Sequence, residues 1–292
     1  MRDRTHFHGA IPRLGRRACV AVLILAVFNM APPAASAQEG KREITRIAGD
    51  VYRFQNRFHF SIFVVTGDGV VVTDPINRSA AKWLEAEIGK RFEKPITHLI
   101  YSHSHDDHAA GGAIFADTAL VIAQQEAPAE IDGVVPDLRF AEALTLTVGR
   151  KAIELTALGP GHGTDLIAMV IRPENVAFVV DAVAVKRLPY RDFPGADIDG
   201  WIEQVRRVEA LEFDILAPGH GALGTKEDAT ATRVYMEDLR DQVAAALAEG
   251  RGEAQLAQDI TMDAYSDWAQ YDAWRELNVR GMARWLKGRD SD

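Results

Sequence analysis

The sequence predicts an α/β protein in which two β-sheets pack face to face with helices on the outside. Three observations carry this reading. Short apolar runs bounded by Gly, Pro, Asn and Asp recur along both halves of the chain, as expected of strands buried in a sandwich. A single helical segment follows each block of strands, and this rhythm occurs twice. No linker, internal repeat or low-complexity stretch divides the chain after its first forty residues.

The leader comes first. Arg13, Arg16 and Arg17 precede an uninterrupted apolar run from Ala18 to Phe28, and Ala31-Pro-Pro-Ala-Ala-Ser-Ala37 supplies small residues in an Ala-x-Ala pattern. That order is the signature of an export signal, here residues 1–37 with cleavage after Ala37. The apolar run is too short to serve as a membrane anchor across a bilayer core of about 30 Å. Arg16-Arg17 also admits a twin-arginine route. The expected location is therefore the periplasm or the medium, with no membrane anchor after cleavage. Cys19, the one cysteine, lies in the segment to be removed, so residues 38–292 contain no disulfide, thiolate ligand or cysteine nucleophile. The leader carries five of the 33 basic residues and one of the 42 acidic ones, which leaves the mature chain with a net charge of about −13. Such a surface argues against nucleic acid or an anionic membrane as partner and leaves a small molecule as the expected one.

In the mature chain, Ile44–Ile47 and Val51–Phe54 read as strands separated by Gly49-Asp50. His59–Val65 and Val70–Thr73 flank a turn containing Asp68-Gly69, which is hairpin chemistry. A helix follows with Ser79 as the expected cap and Trp83, Leu84 and Ile88 as its apolar stripe. Ile96–Tyr101 and Ala119–Ala123 read as buried strands, Leu144–Val148 and Lys151–Thr156 as a second hairpin. Leu166–Ile171 and Val176–Val180 are again strands. A helix begins at Ile198 or Asp199 and runs past Trp201 and Val205, and Ile215-Leu216 is a brief strand. From Thr225 the chain is helical, with one long helix to about Ala248 and a Trp-rich pair reaching Lys287.

Chemistry concentrates at strand ends. His103-Ser-His105-Asp-Asp107-His108 places three imidazoles and two carboxylates within six residues, directly after a strand. Imidazole and carboxylate suit Zn2+. In extended backbone His103 and His105 point the same way, and Asp107 and His108 can aim at a second ion beyond the turn. Asp74, His162, Asp181 and His220 are further polar groups at the ends of apolar runs or after Pro-Gly turns. Five of the seven histidines of the mature chain occupy such positions. His59 and His98 lie within strands and read as core or sheet-face residues.

This pattern resembles the metallo-β-lactamase-fold hydrolases, whose αββα sandwich of two mixed sheets holds its metal site between them. The resemblance covers essentially the whole mature chain. It implies that His103, His105 and His162 hold one zinc ion, that Asp107, His108 and His220 hold a second, and that Asp181 bridges the two. The implied cofactor is thus Zn2+, two ions per chain, with iron less favoured. Asp74 matches the family's aspartate after the second hairpin strand and would support the ligands from behind, although Pro75-Ile76 follows it where Thr-Gly is usual.

A water shared by two zinc ions loses its proton near neutral pH, so the expected activity is metal-dependent attack on a carbonyl, with Asp107 as the catalytic group that orients the nucleophile and relays its proton. No activated serine or cysteine is needed. Asp181 stands where the best-known zinc β-lactamases carry cysteine, and an aspartate there looks like the glyoxalase II and lactonase branches. Three residues on, where the cysteine type places a lysine, this chain has Ala184. A carboxylic ester or lactone is therefore the expected substrate. A β-lactam and a thioester are the alternatives, and a metal-bound ligand-binding protein is the alternative outside enzymes. Lys186, Arg187 and Arg191 either meet a substrate carboxylate at the site mouth or form a solvated loop face.

Overall fold

The apolar runs pair into two sheets, one of seven strands and one of five. The computed structural model describes residues 41–289. In the first sheet β1 (Arg42–Ala48), β2 (Val51–Asn56), β3 (His59–Val65) and β4 (Val70–Thr73) form an antiparallel meander. β5 (Ile96–Ile100), β6 (Leu120–Gln124) and β7 (Leu138–Phe140) extend it in parallel. In the second, β8 (Ala143–Val148), β9 (Lys151–Ala157), β10 (Ile167–Arg172) and β11 (Val176–Val179) are antiparallel neighbours, and β12 (Ile215–Pro218) pairs in parallel with β11.

Side-chain alternation then sorts three cores. Val71, Ile100, Ile153, Ile167, Met169, Phe178 and Val180 meet between the sheets. Val70 and Val72, one residue out of phase with Val71, face outward against Leu84 and Ile88 of α1 (Arg78–Phe92). Ala168, Val170, Ala177 and Val179 face the opposite way, against α4 (Ile198–Glu209) and α5 (Lys226–Ala248). This is why the inner strands read as continuous apolar runs: both of their faces are covered. The result is the αββα sandwich of two mixed sheets.

Parallel neighbours need crossover connections, which α1 supplies between β4 and β5 and α4 between β11 and β12. Two short helical turns, α2 (Asp106–Ala109) and α3 (Ala113–Ala116), follow β5. α6 (Glu253–Asp259) and α7 (Tyr271–Arg289) close the chain. The cap of α1 is Asn77 and not Ser79. The Asn77 side chain accepts from Ala80 N at 3.0 Å, whereas Ser79 already lies inside the helix. Thr225 caps α5 in a reciprocal box with Asp228.

Two ties outside the apolar cores hold the assembly. At the hairpin-turn end, Lys151 bonds the Glu174 carboxylate and stands 3.1 Å from Asp50, while Asp68 accepts from Gly149 N at 2.9 Å; both join one sheet to the other. At the other, Asn278 of α7 is fully buried. Its Nδ2 donates to Pro189 O at 3.1 Å and to Arg191 O, and its Oδ1 accepts from Tyr235 Oη at 2.6 Å. One side chain thus fixes the segment after β11 to the helical layer.

The described residues form one compact unit. The expected export signal at 1–37, with Cys19, lies outside the described residues. Among the described residues no helix is long and apolar enough to cross a membrane.

Candidate metal centre

Strand register brings the polar ends together. Thr73 pairs with Ile100, so Asp74 arrives beside Ser102 and the histidine cluster. Val179 pairs with Pro218, so Asp181 and His220 each lie two residues beyond a matched pair. His162 comes from the turn between β9 and β10, and Ile167 N donates to Ser102 O at 2.9 Å, tying that strand to the cluster. Ligand-bearing loops of both sheets therefore meet at one edge of the sandwich.

The seven predicted ligands fall into two sets around Asp181. Its Oδ2 lies 3.4 Å from His103 Nε2 and 3.3 Å from His162 Nε2, and His162 Nε2 lies 3.2 Å from His105 Nδ1. Its Oδ1 lies 3.5 Å from His108 Nε2 and 3.3 Å from His220 Nε2, which are 3.1 Å apart. Asp107 Oδ2 stands 3.6 Å from His108 Nε2 and 3.9 Å from His220 Nε2. A tetrahedral ion with bonds of ~2.0–2.1 Å keeps its donors roughly 3.3–3.4 Å apart. The first set fits that spacing, and the second is looser, spreading from 3.1 to 3.9 Å. The His/Asp cluster is thus consistent with a dinuclear metal site, with the two oxygens of one carboxylate divided between the two halves.

Hydrogen bonds behind the ligands set their ring orientation. Ser102 Oγ donates to Asp74 Oδ2 at 2.6 Å and so accepts from His103 Nδ1–H at 3.0 Å, which frees His103 Nε2 to bind. His220 Nδ1 donates to Phe58 O at 3.0 Å and frees its Nε2 likewise. Asp74, fully buried, also accepts from Ser102 N at 2.8 Å; it supports the cluster without reaching an ion position.

The electrostatics call for cations. Burial raises Asp181, but the His108 charge and bonds from His103, His108 and His162 outweigh it and hold the carboxylate well below its usual range. Burial pushes His103 down to about 4 and lowers His105, leaving neutral rings with lone pairs to give. Burial lowers His108 too, yet the carboxylates of Asp181, Asp74 and Asp107 lift it to about 9. Where protons alone serve, one is drawn to the spot at which carboxylates converge, and a bound ion would displace it. Burial pushes Asp74 up to about 6, against the opposing pull of His108 and the Ser102 bonds.

Backbone geometry is stressed at the bridge. Asp181 has φ 57°, and Ala182 N donates across it to Val180 O at 2.6 Å, a γ-turn with its centre in the left-handed region. A non-glycine residue held there stores strain of order 1–3 kcal/mol. Gly219, next to His220, has no room for a side chain: a Cβ would come within 2.6 Å of Val180 Cγ1 and 2.9 Å of His108 Cε1.

Three residues of this site escaped the sequence reading. Gln204 of α4 is fully buried, accepts from His162 N at 2.9 Å and donates to Gly159 O at 2.6 Å, so it holds the His162 turn. It occupies the stripe Trp201, Gln204, Val205, Val208, where a polar residue on an apolar face was a readable signal. Arg53 of β2 donates to Pro218 O at 3.1 Å and Gly221 O at 2.7 Å, gripping the His220 turn. Burial pushes Arg53 down to about 10. His59 is not a core or sheet-face histidine; its Nε2 lies 3.2 Å from Asp107 Oδ2 and its ring meets that of His220 edge-on at 4.9 Å. His98, by contrast, lies half-buried on the sheet beside Thr97 Oγ1 at 2.9 Å.

The cluster floors a cavity of about 630 Å³, whose walls include Phe58, Leu188, Tyr190, Phe193, Trp201 and Trp274. Of the three predicted basic residues only Arg187 lines it, half-buried with its guanidinium 4.7 Å from the centre of the Trp274 ring. Lys186 is exposed toward Asp267 at 3.9 Å, and Arg191 stands over Tyr190; neither lines the cavity. The reason is backbone: Lys186 and Arg191 have φ 44° and 47°, so the alternation of an extended chain does not hold there. Arg187→Ala should accordingly raise KM for an anionic substrate about tenfold or more while Lys186→Ala leaves it within about twofold, since a desolvated charge pair is worth far more than a solvated one. Steady-state kinetics of the two variants on one carboxylate-bearing substrate decides this.

Comparison with known proteins agrees with the geometry. The chain is 31% identical over 172 residues to the alpha subunit of 2,4-dinitroanisole O-demethylase from Nocardioides sp. (strain JS1661), covering 55% of this chain and 52% of that subunit. It is 26% identical over 123 residues to the mitochondrial persulfide dioxygenase ETHE1 of Mus musculus, covering 42% and 46%. The chain thus spans about half the length of these two relatives. With the type 2 metallo-beta-lactamase of Bacteroides fragilis it shares 24% identity over 233 residues, 71% of this chain and 91% of that one. A solved metallo-beta-lactamase from Pontibacter korlensis superposes with a TM-score of 0.61 at 20% identity, covering 68% of this chain and 99% of the other, and shares the fold. The sequence profile of the Metallo-beta-lactamase superfamily matches residues 55–220, a span that runs from the end of β2 to the last predicted ligand, and the chain belongs to that superfamily.

Proposed function

We propose that this protein is an exported, zinc-dependent hydrolase of carboxylic esters or lactones. The observation that carries the reading is the division of Asp181 between two imidazole sets at the floor of a largely apolar cavity. Two divalent ions held there would lower the pKa of a shared water and polarise an acyl oxygen. The remaining work falls to the chain. Asp107, half exposed at the cavity edge, orients the attacking water and takes its proton. Leu188, Phe193 and Trp201 exclude solvent from the acyl group, and Trp201 packs edge-on against His162 at 4.6 Å. Arg187 receives an anionic substituent of the substrate.

Aspartate at 181 and Ala184 after it favour ester or lactone over β-lactam. The second reading, a β-lactam hydrolase, is favoured by Arg187, a cation placed to receive a carboxylate, and by the likeness to the Bacteroides fragilis enzyme. Zinc is proposed over iron because three of the first four donors are imidazoles in near-tetrahedral spacing, although a relative named as a dioxygenase makes metal analysis part of the test. The partner is a small molecule, and the leader supports an envelope or secreted location.

The test is kcat/KM on an aryl ester, a homoserine lactone, a thioester and several β-lactams, with and without chelator, alongside metal content. Ester or lactone turnover that chelation abolishes is the expected result. A β-lactam preferred by more than about tenfold, or 1.4 kcal/mol of transition-state binding, reverses the substrate assignment. Inactivity of the metal-loaded protein on all of them favours a ligand-binding role.

A further inference from the structure

The Asp107 side of the metal centre holds one more donor than the superfamily pattern requires. Asp107 Oδ2 lies 3.2 Å from His59 Nε2, closer than to His108 Nε2 at 3.6 Å or His220 Nε2 at 3.9 Å. His59, Asp107 and His220 form a trio whose donor atoms all fall within 4.8 Å of one another. His108, Asp181 and His220 form a second such trio, and the two share His220.

The position of His59 is built into the fold. It is the first residue of β3, paired with Asn56 across the turn Arg57-Phe58, where Arg57 has φ 60°. The next residue, Phe60, donates its N–H to Gly219 O at 2.8 Å, and Phe58 O accepts from His220 Nδ1. Arg53, whose guanidinium lies 3.6 Å from the centre of the Phe60 ring, grips the same turn through Pro218 O and Gly221 O. The hairpin tip and the His220 turn are therefore one locked unit, and His59 cannot shift without moving His220.

We infer that His59 is an additional ligand of the second metal ion, so that this ion is held by His59, Asp107, His108, Asp181 and His220. An ion drawn to Asp107 Oδ2 meets the His59 imidazole at least as readily as that of His108. Five donors suit a five- or six-coordinate ion, and the 3.2 Å edge between His59 and Asp107 is close to the roughly 3.0 Å that neighbouring donors keep at right angles around an ion with ~2.1 Å bonds. The inference rests on the dinuclear reading above and adds a donor to one half of it. The other half, His103, His105 and His162, does not include His59 and serves as an internal control.

The experiment is metal titration of the full protein and of His59→Gln and His59→Ala, using Zn2+ competed with a chelator and Co2+ followed by visible absorption. The first equivalent should bind unchanged in all three. The second should weaken at least about tenfold in both variants, the low end of what even residues behind metal ligands contribute, and the Co2+ bands of the second equivalent should change shape and intensity. Two equivalents bound with wild-type affinity in the variants overturn the inference and leave the dinuclear reading intact. Weaker binding with unchanged Co2+ bands also overturns it, because it makes His59 a positioning residue acting through Asp107. A wild-type protein that takes up no second ion defeats the dinuclear reading itself.

Discussion

Asp181→Ala is expected to lower kcat/KM by at least about 100-fold, and to reduce bound metal from two equivalents to one or none. Residues that merely support ligands contribute about 10–100-fold to affinity or activity, and Asp181 does more: each of its oxygens faces a different set of imidazoles. Removing it leaves His103, His108, His162 and His220 crowded without the charge that organises them. Stability of the metal-free protein should fall as well at neutral pH, because a carboxylate held well below its usual range stabilises the fold, its loss leaves the His108 charge without its main partner, and alanine tolerates the left-handed backbone at 181 less well than aspartate does. Metal analysis, kinetics and thermal melting of the metal-free forms together check this. Full activity with two equivalents bound would remove the basis of the site assignment.

Asn278→Leu should be the most damaging change outside the metal centre. Leucine matches asparagine in shape but leaves Pro189 O, Arg191 O and Tyr235 Oη without their partner in a fully buried position. Each such group costs about 1–3 kcal/mol. A total of about 4 kcal/mol lowers Tm by roughly 8–16 °C in a domain of this size. Because Leu188, Pro189, Tyr190 and Phe193 wall the cavity, KM should rise in the variant at temperatures where it is still folded. Tyr235→Phe serves as the milder comparison, removing one bond of the three. Thermal melting and KM measured on both variants test the coupling; a normal KM in a destabilised Asn278→Leu would separate the wall from the anchor.

Most of the sandwich was legible because its strands are buried on both faces and stand out as apolar runs between turn residues. β3 and β4 match the predicted limits, and the two crossover helices begin within a residue or two of their predicted starts. What escaped was structure set by tertiary contact. β7 has three residues and becomes a strand only by lying beside β6, 14 or more residues earlier. α2 and α3 are single turns shaped by the ligand loop. Ser79 and Asn77 were both chemically able to cap α1, and the left-handed Ile76 at φ 69° places the start at Asn77.

The candidate site divides the same way. Spacing within His103–His108 is local and could be read directly, whereas the distance of His59 from Asp107 depends on how one hairpin tip meets a turn of the other sheet. Arg187 could not be told from Lys186 and Arg191 without the local φ values. Gln204 alone carried a local signal that went unread.

The two ends of the sandwich are fastened by different chemistry. The hairpin-turn end is closed by Lys151, Glu174, Asp50 and Asp68, which the chain carries permanently, while the opposite end converges on side chains from five separate segments that an ion would join. Metal occupancy and persistence of the folded chain are then one equilibrium. At an ion concentration 100 times its dissociation constant, the folded state gains about 2.7 kcal/mol. The amount of this protein that survives in its compartment should consequently follow the supply of divalent ions there, even when no substrate is present.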